Sequence, residues 1–145
     1  MAKLVFDSGF MKKEYPLLKS VMTIGRDKAC DISIPDYPLF ATLGRSVQLM
    51  HFEQLKKISR NHARLIIRNG TYCLEDTGTT GMGSSYGTYV NMARLDVKKP
   101  YLLQDSDKIR FGPVECLFKL DPSEMPEPPK EKAEETKAAP QEPSG

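Results

Sequence analysis

The chain has 145 residues, a length that accommodates one compact domain and a tail but not two full domains. Its hydrophobic fraction of 39% and charged fraction of 28% lie near globular averages, which excludes collagen-like and wholly disordered classes. No apolar run approaches the roughly 20 residues of a bilayer-spanning helix, and residues 1–10 lack the hydrophobic stretch of a secretory signal. The sequence therefore predicts a soluble intracellular protein, cytoplasmic or, in a eukaryote, also nuclear.

The net charge of +2 combines two segments of opposite character. Residues 1–120 hold 18 Lys and Arg against 12 Asp and Glu, whereas residues 121–145 hold 3 against 7, so their net charges are +6 and −4. The second segment also has 6 of the 11 prolines and no aromatic residue, so it cannot bury enough apolar surface to offset its ordering entropy. We predict a domain over residues 1–120 and a disordered Pro/Glu-rich tail over residues 121–145.

Short runs rich in Val, Ile, Phe, Tyr and Thr, separated by Gly, Pro, Asn and Asp, predict successive β-strands. The predicted strands are Lys3–Asp7, Lys12–Leu18, Val21–Gly25, Asp31–Ile34, His62–Arg68, Thr71–Asp76, Thr88–Asn91, Lys108–Phe111 and Val114–Leu120. Many short strands joined by tight turns favour an all-β antiparallel sandwich. One interval, Tyr37–Lys57, has room for a helix, because Val47, His51 and Leu55 recur at helical spacing with Phe52 beside them.

Cysteine and histidine spacing does not indicate a disulfide framework or a metal site. Cys30, Cys73 and Cys116 form an odd set without a Cys-x-x-Cys pair, and we predict that they are buried free thiols. We predict that His51 is a surface residue, that His62 is a structural residue bonded to backbone of its own loop, and that neither is a metal ligand.

Three polar clusters follow or precede predicted strands, where a sandwich gathers its loops. Gly25-Arg26 offers a guanidinium fork that matches an oxyanion, although a solvated surface arginine is the alternative. The segment 58–63 brings a hydroxyl, a guanidinium and an imidazole within one turn. The segment 78–91 is rich in Gly, Ser and Thr, whose N–H groups and hydroxyls can line an anion-binding concavity.

Enzyme motifs do not fit these clusters. The segment 78–91 lacks the Gly-Lys-Ser/Thr ending of a nucleotide phosphate loop, and its glycines miss the dinucleotide-binding spacing. Ser59 and His62 lie three residues apart, but without a Gly-x-Ser-x-Gly elbow or an evident orienting carboxylate. We therefore predict a protein that is not an enzyme.

Four short motifs, by their order and spacing, resemble those of the forkhead-associated (FHA) domain: Gly25-Arg26, Ser59-Arg60-x-His62, Asp76 and Gly87-Thr88-x-x-Asn91. The resemblance covers about residues 3–120 and is supported by Asp31-Ile32 and by Asp107-x-Ile109-x-x-Gly112. It implies a β-sandwich of about eleven strands whose apical loops bind phosphothreonine peptides. It also implies no cofactor and a Ser/Thr kinase upstream.

The resemblance implies roles for individual residues. Arg26 and Ser59 would grip the phosphate, Ser85 would supply a third phosphate contact, and Arg60 would position or contact the ligand. Lys57 would read the third peptide residue after the phosphothreonine. Loop support would come from Gly25, His62, Gly87, Thr88 and Asn91.

Two features depart from the family's pattern. Tyr37–Lys57 replaces a connection of a few residues, and it would cap, block or extend the peptide site. Tyr86 stands where most members have an asparagine that clamps the peptide backbone. A phenol would either weaken binding or supply an aromatic wall.

The predicted function is phosphothreonine-dependent protein binding, to which the basic body would attract acidic phosphopeptides. A phosphate-independent scaffold that uses the insertion and the sandwich surface is a second class. Nucleic-acid binding is a third, disfavoured because Lys and Arg are scattered and no base-stacking platform is apparent. No membrane partner is expected. Thr136, once phosphorylated, is a candidate intramolecular ligand, and a tail that only solvates the domain is the alternative.

Overall fold

The computed structural model describes residues 2–121, so the predicted disordered tail, apart from Asp121, lies outside the described residues. Within this range eleven strands and two helices follow one another along the chain. They are β1 (Lys3–Phe6), β2 (Glu14–Pro16), β3 (Val21–Gly25), β4 (Ile32–Ser33), α1 (Tyr37–Phe40), α2 (Arg45–Leu55), β5 (Ala63–Arg68), β6 (Thr71–Asp76), β7 (Thr88–Val90), β8 (Ala93–Arg94), β9 (Tyr101–Leu102), β10 (Lys108–Phe111) and β11 (Val114–Lys119).

The strands form two sheets that share one hydrophobic core. One sheet has the order β2-β1-β11-β10-β7-β8 and the other the order β4-β3-β5-β6-β9. Neighbouring strands are antiparallel except β3 and β4, which pair in parallel with Ile24 opposite Ile32. The all-β sandwich prediction is confirmed, with β3 and β4 as the one parallel pair among the neighbouring strands named above.

Alternation of buried and exposed residues fixes which face of each strand meets the core. In β11, Val114, Cys116 and Phe118 are buried, whereas Glu115 and Leu117 point outward. Because side chains of a strand alternate between its two faces, a one-residue slip would expose all three buried groups. The three cysteines are free, and Cys30 and Cys116 are buried, but Cys73 is only half-buried.

The residue pattern predicts nine of the eleven strands. The other two, β8 and β9, have two residues each, which is too short for alternation to appear. Lys12–Leu18 also shortens to Glu14–Pro16 in β2.

The predicted insertion contains two short helices rather than one. Asp36 caps α1 by accepting a hydrogen bond from Leu39 N at 3.1 Å. Leu55 is the one buried residue of α2, and His51 is half-buried with its ring 4.9 Å from that of Phe10. His51 is therefore part of the contact between insertion and sandwich rather than a free surface residue. Neither helix has the length and apolar content needed to cross a membrane.

Candidate anion-binding site

Three loops meet at one end of the sandwich, which we call the apex: residues 26–31, 56–62 and 77–87. Backbone hydrogen bonds join the first two, since Arg26 N donates to Ser59 O at 3.0 Å and Asp27 N donates to Arg60 O at 3.1 Å. The third loop joins through Ser85 N, which donates to Ser59 Oγ at 3.2 Å. The structure thus brings Arg26, Ser59 and Ser85 to one place.

Gly25 is required because the second loop passes directly over it. A Cβ at this position would lie 2.1 Å from Arg60 O and 2.9 Å from His62 N. Gly25 is the last residue of β3, so close approach of backbone, rather than a turn after the strand, explains the glycine.

The Arg26 side chain is held by one of its nitrogens. Nε donates to Ile58 O at 2.9 Å, and no described residue bonds the two terminal nitrogens. Four N–H donors therefore remain for an oxyanion, in a plane fixed by the Nε bond. The Tyr37 hydroxyl donates to Arg26 O, which ties this residue to the insertion.

His62 is fully buried and bridges two of the loops. Ser59 N donates to Nδ1 at 3.1 Å, and Nε2 lies 2.9 Å from Gly87 O, so we assign the neutral tautomer with its proton on Nε2. Burial lowers the pKa of His62, against the raising effects of the Gly87 carbonyl and of Asp76. The neutral ring bonds backbone of its own loop and, beyond the prediction, of the third loop as well.

Glycines with positive φ allow the third loop to fold back on itself. Gly78 has φ +69°, and a Cβ there would lie 2.0 Å from Gly83 O. Below this turn the buried Asp76 accepts a hydrogen bond from Ser84 N at 2.9 Å. Ser85 is consequently exposed at the rim, whereas Thr88 is fully buried beneath the loop and unreachable for a ligand.

The remaining predicted contact residues lie around the rim. Arg60 is exposed, and Tyr86 is 52% exposed. The Lys57 ammonium lies 5.7 Å from the centroid of the Tyr86 ring, so these two form a cation–π pair. Gly87 has φ +87°, and its carbonyl accepts from Gly112 N at 2.9 Å besides His62.

Asn91 lies at the opposite end of β7 from the apex. Its Nδ2 donates to Asp107 Oδ1 at 2.8 Å, and its Oδ1 accepts from Lys108 N at 2.9 Å. It therefore supports the turn that precedes β10 and not the loops of the apex.

Two apex contacts have no signal in the sequence. Tyr37 reaches Arg26 only because the insertion folds back toward β3. Cys30 Sγ donates to Arg60 O at 3.3 Å, a contact between segments 30 residues apart. Both depend on tertiary proximity that no local motif encodes.

The apex is suited to binding an anion rather than to catalysis. It offers a guanidinium, hydroxyls and backbone N–H groups, whereas the one imidazole is buried with both nitrogens already bonded. Among residues 2–121, no three His, Cys, Asp or Glu side chains group as a metal site.

The chain resembles a known family and curated proteins. The FHA domain model matches residues 22–112, more than half of the chain. The E3 ubiquitin-protein ligase CHFR of Danio rerio is 31% identical over 111 residues, which cover 75% of this chain and 14% of that protein. The probable E3 ubiquitin-protein ligase dma1 of Schizosaccharomyces pombe is 36% identical over 61 residues, 39% of this chain and 21% of that protein. The chain thus matches less than a quarter of the length of either curated relative.

A solved structure has the same fold. The N-terminal FHA domain of Rad53p from S. cerevisiae, in complex with a phosphothreonine peptide, superposes with a TM-score of 0.60 at 17% identity. The superposition covers 84% of this chain and 94% of that chain.

Proposed function

This chain belongs to the FHA family, and we propose that it binds phosphothreonine-containing proteins through its apex. The observation that carries the proposal is the hydrogen-bonded loop cluster that holds Arg26, Ser59 and Ser85 together. A phosphothreonine bears about −1.5 to −2 charges and three acceptor oxygens, so it needs fixed donors of this kind.

The contacts already made by these residues determine what each has left to offer a phosphate. The Nε bond to Ile58 orients the Arg26 fork, whose terminal nitrogens can donate to two phosphate oxygens. Ser59 Oγ already accepts from Ser85 N, so its own O–H remains as a donor. The exposed Ser85 hydroxyl and Arg60 guanidinium add a further donor and a further positive charge at the rim.

The proposed ligand requires a Ser/Thr kinase upstream. The apex would bind the phosphate directly through its own hydrogen-bond donors. Binding would therefore need neither a chemical step nor a cofactor. Three free cysteines suit a reducing compartment, which supports a cytoplasmic location. Within a longer protein, such a domain would recruit phosphorylated partner proteins to the other domains of that protein.

The decisive test compares Arg26→Ala with Arg68→Ala, a control at the exposed far end of β5. Each full-length variant is titrated by calorimetry with a phosphothreonine peptide chosen from an oriented library, and with its unphosphorylated form. A charge-assisted hydrogen bond contributes about 1.5–3 kcal/mol, so Arg26→Ala should weaken binding about tenfold or more. Arg68→Ala should match the wild type. Equal affinity of Arg26→Ala and the wild type contradicts the assignment.

A phosphate-independent scaffold is the second candidate function. The observation in its favour is the exposure of Leu49, Met50 and Phe52 on α2, at 61%, 72% and 56%. Binding of a partner with equal affinity before and after phosphatase treatment would favour it. A steep fall of affinity with salt, without preference for phosphopeptide, would instead indicate nucleic acid.

A regulatory proposal concerns Thr136, which lies outside the described residues. Thr136 is the sixteenth residue after Leu120, and tethering within one chain gives about millimolar effective concentration. Phosphorylated Thr136 would then compete with partners for the apex. NMR shifts of Arg26, Ser59 and Ser85 that are identical in the phosphorylated chain and in a chain ending at Asp121 would exclude this contact.

A further inference from the structure

The insertion forms one wall of an apolar groove beside the apex. Its walls are Pro35, Tyr37, Phe40, Phe52 and Leu55, and its volume is about 240 Å³. Leu55 is buried and Phe40 packs against the core, so this part of the groove is anchored. Phe52 is 56% exposed and forms the open edge.

Positive charges surround these apolar walls. Arg26 lines the groove and also belongs to the apex, so the groove and the proposed phosphate site share one side chain. The Lys56 ammonium lies 5.7 Å from the Phe52 ring centroid, and the Lys28 ammonium lies 5.3 Å from that of Tyr37. Lys56 also pairs with Glu53 at 3.2 Å, but this exposed pair contributes little. An apolar floor with a cationic rim complements a ligand that carries an apolar group next to an anion.

The size of the groove limits what it can hold. Its volume is below the roughly 300 Å³ at which pockets for drug-sized ligands begin. One side chain of the size of Leu, Met or Phe suits this volume better than a small-molecule ligand does.

The groove is formed without a ligand because hydrogen bonds fix the insertion to the sandwich and fix its two helices to each other. The Tyr37 hydroxyl donates to Arg26 O, and Asp36 N donates to Phe10 O at 2.9 Å. Within the insertion, Gln48 Nε2 donates to Phe40 O at 3.0 Å and to Leu43 O at 3.1 Å. Because the groove is already formed, fewer side chains have to be ordered when a ligand binds than in a groove that forms only on binding.

The groove is distinct from the rim formed by Lys57 and Tyr86. Lys56 lines the groove, whereas the next residue, Lys57, places its ammonium over Tyr86. Successive lysines thus contact two different surfaces around the apex. A peptide held by its phosphate at Arg26 has separate surfaces for two of its flanking residues.

We propose that the groove binds an apolar side chain of the phosphopeptide, so that the chain selects phosphothreonine flanked by Leu, Ile, Met or Phe. This inference rests on the proposed function, and it names the ligand class of that same site. Because Arg26 borders both the groove and the proposed phosphate site, the apolar residue is a close neighbour of the phosphothreonine in the peptide.

The first experiment presents the full chain with a phosphothreonine peptide library varied at four positions on each side. Apolar residues should be enriched at one flanking position. Peptides with Leu and with Asp at that position are then compared by calorimetry. Burying much of a leucine side chain should raise affinity about tenfold, which corresponds to about 1.4 kcal/mol.

The second experiment changes the groove and leaves the phosphate contacts intact. Phe52→Glu places a carboxylate at the open edge of the groove, and Met50→Glu places the same charge on the same helix outside it. Both side chains are largely exposed, so both variants should fold, which a thermal melt checks. Phe52→Glu should lose about tenfold in affinity for the Leu peptide and little for the Asp peptide, whereas Met50→Glu should keep the wild-type preference.

The outcomes separate the inference from the function on which it rests. If the wild type binds no phosphothreonine peptide, both fail. If it binds such peptides with no apolar preference, or if Phe52→Glu keeps that preference, the groove inference is overturned and the proposed function stands. If Phe52→Glu instead binds every peptide more tightly, another segment or a second copy covers the groove, and the inference is likewise overturned.

Discussion

The apex and the insertion stand side by side but are held in place by different interactions. Backbone hydrogen bonds and the His62 bridge fix the apex, where Arg26 and Ser59 lie on crossing loops. The insertion is held by apolar contacts and by a few hydrogen bonds, such as that from the Tyr37 hydroxyl to Arg26 O, and α2 has one buried residue. Recognition of a phosphate requires donors at set positions, whereas an apolar side chain tolerates adjustment of the wall that receives it. The comparison predicts that small changes in the apex have large effects and that the insertion tolerates more.

The largest expected effect comes from Gly25→Ala. The added Cβ would lie 2.1 Å from Arg60 O. Because this is a backbone atom, a change of side-chain rotamer cannot relieve the clash. Overpacking of this kind costs about 1–3 kcal/mol or more, so the melting temperature should fall by several degrees and phosphopeptide binding should be lost.

Gly44→Ala is the matched control for this substitution. Gly44 precedes α2, has φ −63°, and has nothing within 4 Å of an added Cβ. Its melting temperature and binding should stay close to those of the wild type. An equal response of the two variants would contradict the contrast between a tight apex and a tolerant insertion.

The second prediction is that protonation of His62 at low pH destabilises the apex. Burial lowers the pKa of His62 in the folded protein, so between that value and about 6.5 the unfolded chain binds more protons. Stability is therefore fully present above about pH 6.5 and declines as the pH falls toward the folded pKa. A protonated Nδ1 would also oppose Ser59 N, so binding should weaken over the same range.

Urea unfolding at pH 7.5 and at pH 5.5 measures this effect. The loss of stability between the two should be smaller in His62→Gln than in the wild type, because glutamine does not titrate. The same pH dependence in both proteins would show that another group is responsible.

The sequence locates the motifs of the apex loops because each of these motifs is local. Gly25-Arg26 and Ser59-Arg60-x-His62 each lie beside a strand that period-two alternation predicts. The motifs do not show why each residue is required. Gly25 is required because the backbone at Arg60, 35 residues away in the chain, passes directly over it.

The insertion is less predictable from the sequence. Helical spacing of Val47, His51 and Leu55 predicts a helix, but the break between α1 and α2 and the packing of His51 against Phe10 depend on tertiary contact. The groove likewise needs Tyr37 to reach Arg26, a contact that spacing along the chain does not specify. Strands of two residues, such as β8 and β9, carry no periodicity to detect.

A smaller effect is expected from Tyr86→Asn, at the rim of the apex. The phenol is 52% exposed beside Lys57, and it lacks the paired donor and acceptor of an amide. Two new hydrogen bonds to the peptide backbone, each worth about 0.5–1 kcal/mol, should tighten binding about fivefold or more. Weaker binding by calorimetry would show instead that the tyrosine is an aromatic wall of the site.

The smallest expected effect is that of Tyr37→Phe, which tests the link between the two regions. Burial raises the pKa of Tyr37, so its hydroxyl stays protonated and donates to Arg26 O. Removing one such bond costs about 0.5–1.5 kcal/mol, part of it in stability, so affinity for a phosphothreonine peptide should fall about twofold. Tyr101→Phe, in the edge strand β9, is the control and should bind as the wild type does. If Tyr37→Phe halves the affinity for the Leu peptide and the Asp peptide alike, the hydroxyl positions Arg26; if only the Leu peptide is affected, it shapes the groove. No change with either peptide would mean that the apex holds Arg26 without help from the insertion.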